Sequence, residues 1–128
     1  TPGSRSSKPV DLMSVYPTLC SLAGLERPEH VLGHDITPLL KDPAADWAYP
    51  AITTHGRGNH SVRTETHRYI RYANGDEELY HNAKDPYEWT NLASNPEYNP
   101  LKAKLANWLP KQEVPELPRA PKSKNNKK

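Results

Sequence analysis

Two histidines, an arginine and an asparagine crowd into the seven residues Thr54-His55-Gly56-Arg57-Gly58-Asn59-His60, around two glycines. Arg, His and Asn side chains together are good donors to an anionic group such as a sulfate or a carboxylate. Glycine lets the backbone turn sharply or come close to a ligand. The segment falls between two strand-like stretches, and loops on a rigid sheet are where binding residues concentrate. His55, Arg57, Asn59 and His60 are therefore the candidate binding residues. An ordinary polar loop is the other reading of the same composition.

Other chemistries find less support. Cys20 sits towards the end of a helical stretch rather than at a helix start or beside a His, so a buried inert thiol is expected. No Gly-Xaa-Ser-Xaa-Gly elbow and no glycine-rich phosphate loop occurs. The five- and seven-residue spacings of His55, His60 and His67 match no local zinc pattern. Asp76, Glu77 and Glu78 cluster at a hairpin tip, where solvation is the default. Arg71 lies among tyrosines, as a surface arginine packed on a ring or as an anion contact. No catalytic and no metal-ligating residue is assigned.

The elements that must position the loop follow from patterning. Leu12, Val15, Leu19 and Leu22 recur at helical spacing and form one apolar stripe, with Asp11 as N-cap and Gly24 as left-handed C-cap over about residues 11–23. Pro17 inside this stretch predicts a kink or a restart. Residues 26–50 read as a loop with one helical turn over 36–40. Residues 51–54, 60–65, 67–73 and 77–81 read as strands, with Asn74-Gly75 turning the last hairpin. Trp89 and Leu92 are expected as apolar anchors after the Asp85-Pro86 turn. Asn99-Pro100 starts a final helix whose Leu101, Leu105, Trp108 and Leu109 share a face and which Pro110 ends. The fold class is α+β: a small antiparallel sheet of about four strands with a C-terminal packing helix, preceded by one further helix.

Composition limits what this architecture can do alone. The chain has 128 residues, 14 of them proline, one Cys and no Phe. Leu, Ile and Val total 21 residues, under the roughly one-fifth share at which a chain builds a sizeable core. One Cys excludes an internal disulfide and a Cys-based zinc site. No apolar run approaches the ~18 residues of a membrane span. The net charge of +2 arises from residues 110–128, which carry six basic and two acidic side chains and four prolines. That tail is expected to be disordered, and without aromatics for base stacking it gives nucleic-acid binding little support.

Three ordered stretches resemble the C-terminal part of type I sulfatases, especially the bacterial iduronate-2-sulfatase-like group. They are VDLMSVYPTLCSLAGL at 10–25, HSVRTETHRYIRY at 60–72 and ELYHNAKDPYEWTNLA at 78–93. The resemblance implies sulfate-ester hydrolysis on an alkaline-phosphatase-like α/β fold, with a formylglycine nucleophile, calcium and a sulfated carbohydrate substrate in an intact relative. Cys20 departs from the family's maturation motif, having Leu22 and Gly24 where Pro or Ala and Arg belong. The family's metal-binding pairs have no counterpart here, so no cofactor is expected in this chain. The resemblance makes residues 1–49 the end of the large catalytic domain, 50–109 the C-terminal subdomain and 110–128 the tail. The missing N-terminal catalytic domain is then the expected partner, and export to the periplasm or medium the expected address. It also sets residues 53–61 facing the substrate pocket, which singles out His55, Arg57, Asn59 and His60 a second time.

Two other classes remain open. A non-catalytic module would recognise sulfated glycans through His55, Arg57 and Arg63. A basic-tailed interaction protein would bind through residues 110–128 alone. The stripe on the first helix has few partners within the chain, so that helix is expected to dock poorly while the sheet and last helix pack together.

Overall fold

The computed structural model describes residues 3–115. Asp11 organises the start. Its Oδ1 accepts hydrogen bonds from the Ser14 backbone and hydroxyl at 3.2 and 3.0 Å, and its Oδ2 accepts from Ile52 N at 3.1 Å. One carboxylate thus caps a 3-10 turn, Leu12–Ser14, and ties it to the first strand. Helix α1, Val15–Leu22, follows directly. Pro17 therefore falls in the first turn, where backbone N–H groups have no intrahelical partner, and the expected break at Pro17 becomes a change of helix type just before it. Gly24, at φ +66°, ends the helix, with Leu25 N donating to Cys20 O and Gly24 N to Ser21 O. These two bonds form a Schellman cap.

α1 is held by its polar face. Ser14 and Thr18 are buried, whereas Leu12, Val15, Leu19 and Leu22 remain 47–88% exposed. Thr18 Oγ1 donates to Ser14 O and accepts from Ile36 N at 3.0 Å. The chain at Gly33 passes so close that a Cβ there would lie 1.9 Å from Met13 O. Hydrogen bonding thus docks the helix, and the apolar stripe stays uncovered. The turn expected after it is helix α2, Thr37–Lys41, anchored by buried Leu39.

Four strands make an antiparallel meander in sequence order: β1 Ala51–Thr54, β2 His60–Arg63, β3 Arg68–Arg71 and β4 Glu77–Tyr80. The register pairs Ile52 with Val62, Val62 with Tyr69, and Tyr69 with Leu79. Directly paired residues share a face, so these four side chains form one apolar surface. Helix α3, Asn99–Ala106, and the turn after it cover that surface with Leu105 and Leu109. The other face carries Arg63, Arg68, Ile70, Tyr72, Glu78 and Tyr80. The last hairpin differs in detail from the Asn-Gly expectation. Only Gly75 has positive φ, and the bonds Gly75 N to Tyr72 O and Tyr72 N to Asp76 O describe a type I turn with a glycine bulge.

Three further expectations need correction. The capped start of the last helical segment is Asn95-Pro96, where Asn95 accepts from Glu97 N at 3.0 Å; Asn99 makes no cap. Trp89 is 84% exposed and stacks on Tyr87 instead of anchoring the core, while Leu92 does pack against it. Glu77 and Glu78 are not simply solvated. Glu78 accepts from the Tyr72 and Tyr80 hydroxyls at 3.0 and 2.9 Å, and Glu77 joins Tyr69 and Lys102. The proximity of Glu78 and burial together push the Tyr80 hydroxyl up to about 12, burial being the larger cause. Of the basic tail, residues 110–115 are described, and Glu113 among them reaches His60 and Gly58; the rest falls outside the described residues.

Candidate functional site

The loop between β1 and β2 is built by its glycines and Asn59. Gly56 and Gly58 have φ of +68° and +76°. At Gly58 a Cβ would sit 2.9 Å from the Ala73 Cβ, so glycine is required both for the torsion and for the approach to the neighbouring hairpin. Asn59 Oδ1 accepts from Ala73 N at 3.1 Å and its Nδ2 donates to Arg57 O at 3.2 Å. His55 N closes the loop by donating to Asn59 O. Asn59 thus positions the loop from within.

His60 is 2% exposed and is fixed at both ring nitrogens. Nδ1 lies 2.9 Å from Thr54 Oγ1 on the paired strand, and Nε2 lies 2.5 Å from Glu113 Oε1. A carboxylate only accepts, so Nε2 carries the proton of that bond. Gly58 N donates to the second carboxylate oxygen at 3.1 Å. The His60 bond first, then the Gly58 amide and the charges of His60 and Arg57, hold the Glu113 carboxyl below its ordinary range.

The four candidates are brought to one loop but divided between its two sides. Arg57 and His60 line a cleft of about 300 Å³ closed by Pro110, Gln112, Glu113 and Val114. His55 and Asn59 line a second cleft of about 320 Å³ with Thr53, Ser61, Arg68, Ile70 and Tyr72, and His60 forms part of its wall as well. Sequence reading missed Arg68 and Tyr72 as members of this group, although the period-2 spacing of Arg68 and Ile70 on β3 with Tyr72 just past its end was the available signal. Arg68 Nη1 lies 3.2 Å from Glu88, and its buried Nε has no hydrogen-bond partner. Arg63, the third arginine considered, lies 3.7 Å from the same carboxylate. Beyond the strand ends, His67 and His81 face each other with ring centroids 4.4 Å apart. Burial, then the proximity of His81 and Lys84, pushes His67 below its ordinary range.

The loop gathers hydrogen-bond donors, two of which, His60 Nε2 and Gly58 N, hold the Glu113 carboxylate. Among the described residues no three His, Cys, Asp or Glu side chains converge to hold a metal. Cys20 is a buried thiol inside α1. Among the described residues no helix is long and apolar enough to cross a membrane.

A helix-backed four-strand meander that presents a donor-rich loop at its edge is an α+β subdomain. The family described as N-sulphoglucosamine sulphohydrolase, C-terminal, matches residues 1–114, and the chain belongs to that family of sulfatase C-terminal regions. It is 37% identical over 109 residues to a sulfatase of Formosa agariphila, covering 85% of this chain and 22% of the relative. It is 34% identical over 117 residues to the delta 4,5-hexuronate-2-O-sulfatase of Bacteroides thetaiotaomicron, covering 77% of this chain and 24% of that protein. Among solved structures, one in complex with its substrate D-glucosamine-2-N,6-O-disulfate matches with a TM-score of 0.57 at 25% identity, over 71% of this chain and 21% of that one. The chain thus spans between a fifth and a quarter of the length of these relatives.

Proposed function

We propose that this chain is the substrate-facing C-terminal subdomain of a sulfatase that hydrolyses sulfate esters of a sulfated sugar or glycan. In this reading the nucleophile, as formylglycine, and the calcium site belong to an N-terminal catalytic domain. The uncovered stripe Leu12, Val15, Leu19 and Leu22 packs against that domain. His55 and Arg57 reach towards the sugar, while Asn59, bonded to Arg57 O and Ala73 N, and His60, held by Thr54 and Glu113, shape the loop that presents them. The observation that carries the reading is the loop itself: polar donors on both sides of one sheet edge, held in place by Thr54, Gly58 and Asn59 within a family whose members are sulfatases. The names of relatives acting on a hexuronate 2-O-sulfate and binding a glucosamine disulfate support a charged sugar as substrate.

The test uses a full-length sulfatase carrying this segment. Removing one charge-assisted hydrogen bond costs about 1.5–3 kcal/mol, so Arg57→Ala or His55→Ala should raise KM for a sulfated disaccharide by roughly tenfold or more. Turnover of a small aryl sulfate, which does not reach the loop, should change less than about twofold. Equal losses on both substrates overturn the assignment. The 128-residue chain alone should hydrolyse no aryl sulfate; calcium-dependent turnover by it would overturn the division of labour.

A further inference from the structure

Tyr87 and Trp89 lie face to face, ring centroids 5.3 Å apart and planes 21° from parallel, yet they are 74% and 84% exposed. The turn that carries them is fixed. Asp85 Oδ2 accepts from Thr90 N at 2.8 Å, and Glu88 N donates to Asp85 O at 3.2 Å. Between the two aromatic residues, Glu88 has φ +58°, the one non-glycine residue at positive φ among the described residues. Backbone strain of that kind persists only where surrounding contacts enforce it, and it concentrates at functional sites. Here the contacts are those of the Glu88 carboxylate with Arg63, Arg68 and Asn82 Nδ2. A stacked aromatic pair that a rigid, strained turn holds in water marks a contact surface. Its place in the fold indicates the partner. Arg68, which holds Glu88, also lines the second cleft with His55, Asn59, Ile70 and Tyr72. The outer face of the sheet therefore connects the β1–β2 loop with the Glu88 turn. β3 has four residues, so that distance is about 13 Å at the rise of a strand, more than one sugar ring. Around the turn, Arg63, Arg68 and Lys84 outnumber Asp85 and Glu88.

We propose that Tyr87 and Trp89 form a stacking platform for a sugar ring, a distal subsite for a sulfated oligosaccharide whose other end lies at the β1–β2 loop. A pyranose offers one face of C–H bonds to an aromatic ring and carries its charged substituents at the rim. A flat aromatic surface beside an excess of cationic side chains suits both parts of such a sugar. A single sulfated monosaccharide reaches only one end of the track. The proposal rests on the substrate-facing reading of the β1–β2 loop and deepens it, because it makes the preferred substrate a chain of several sugars.

The experiment uses the 128-residue chain as wild type, Trp89→Ala and Trp89→Phe, at constant ionic strength. Binding is measured by calorimetry and, in the wild type, by the NMR signal of the Trp89 indole N–H. The probes are a heparin hexasaccharide, a chondroitin sulfate hexasaccharide and the monosaccharide D-glucosamine-2-N,6-O-disulfate. Unchanged signals from Val62, Tyr69 and Leu79 confirm that each variant keeps its sheet. At least one hexasaccharide should move the indole signal and bind about tenfold more weakly to Trp89→Ala, while Trp89→Phe keeps most of the affinity. The monosaccharide should leave the indole signal in place. The proposal is overturned if neither hexasaccharide moves the signal, if Trp89→Ala binds as the wild type does, or if the monosaccharide moves the signal as strongly. It is also overturned if dilution of the chain alone moves the signal, which would make the pair a contact between copies. In a full-length sulfatase carrying this segment, Trp89→Ala should raise KM for the hexasaccharide about tenfold and KM for the monosaccharide less than about twofold. Equal changes, or none, overturn the platform. A hexasaccharide effect of Trp89→Ala beside an unchanged KM in the Arg57→Ala and His55→Ala enzymes would keep the platform and discard the substrate-facing reading. The converse would discard the platform and keep that reading.

Discussion

Lys102 Nζ lies 2.8 Å from Glu77 Oε2, and this contact bolts α3 to the end of β4. The same lysine donates to Ala93 O, and the same carboxylate accepts from the Tyr69 hydroxyl. The helix and sheet that enclose the core are therefore joined by charge at one point and by Leu105 and Leu109 elsewhere.

The pH dependence of stability follows from this contact. The Lys102 hydrogen bond, and after it the Tyr69 hydroxyl, holds the Glu77 carboxyl below its ordinary value of 4.5. A carboxyl whose folded value is depressed contributes stability above its unfolded value, and that contribution is lost as pH falls through the folded one. Urea midpoints should therefore drop as pH is lowered from 5 towards 3, and Glu77→Gln should flatten that part of the profile. Parallel wild-type and variant profiles would show that the contact carries no such linkage.

Burial separates two large side chains that the sequence presents alike. Leu79 is fully buried, so Leu79→Ala should cost about 2–5 kcal/mol in chemical denaturation. Trp89 is 84% exposed, so Trp89→Ala should stay within about 0.5 kcal/mol of the wild type. A Trp89 cost approaching that of Leu79 would contradict the placement of the Tyr87–Trp89 stack.

Gly58 is set by two independent constraints. Gly58→Ala should destabilise the chain by about 1–3 kcal/mol, because alanine is strained at positive φ and its Cβ meets Ala73. Adding Ala73→Gly removes the collision but leaves the torsion, so the double variant should recover only part of the loss. Full recovery, or none, would show that one constraint alone acts.

The sheet was legible because each strand is short, rich in β-branched or aromatic residues and bounded by turn residues. Strand ends were trimmed where Thr64 N turns back to His67 O and where Ala73 N donates to the Asn59 side chain instead of a ladder partner. The capped helix start was misplaced because Asn95-Pro96 and Asn99-Pro100 carry the same local signal, and only the structure shows which asparagine turns its side chain back to the chain. The tyrosine partners of Glu77 and Glu78 were invisible to composition because they depend on cross-strand neighbours. The loop residues were legible as a group. Their division between two clefts was not, because residues 55–59 follow no period from which a side could be read.

The orientation of α1 has a consequence for handling the chain in isolation. An ordinary surface helix hides its greasy side and wets its hydroxyls; this one does the reverse, with Ser14 and Thr18 inside and four aliphatic side chains facing water. Its cohesion with the rest of the chain is therefore directional and polar, while its stickiness points outward. Concentrating the purified chain brings leucine ladders from different molecules together, so self-association and folding stability respond to different residues and can be tuned apart.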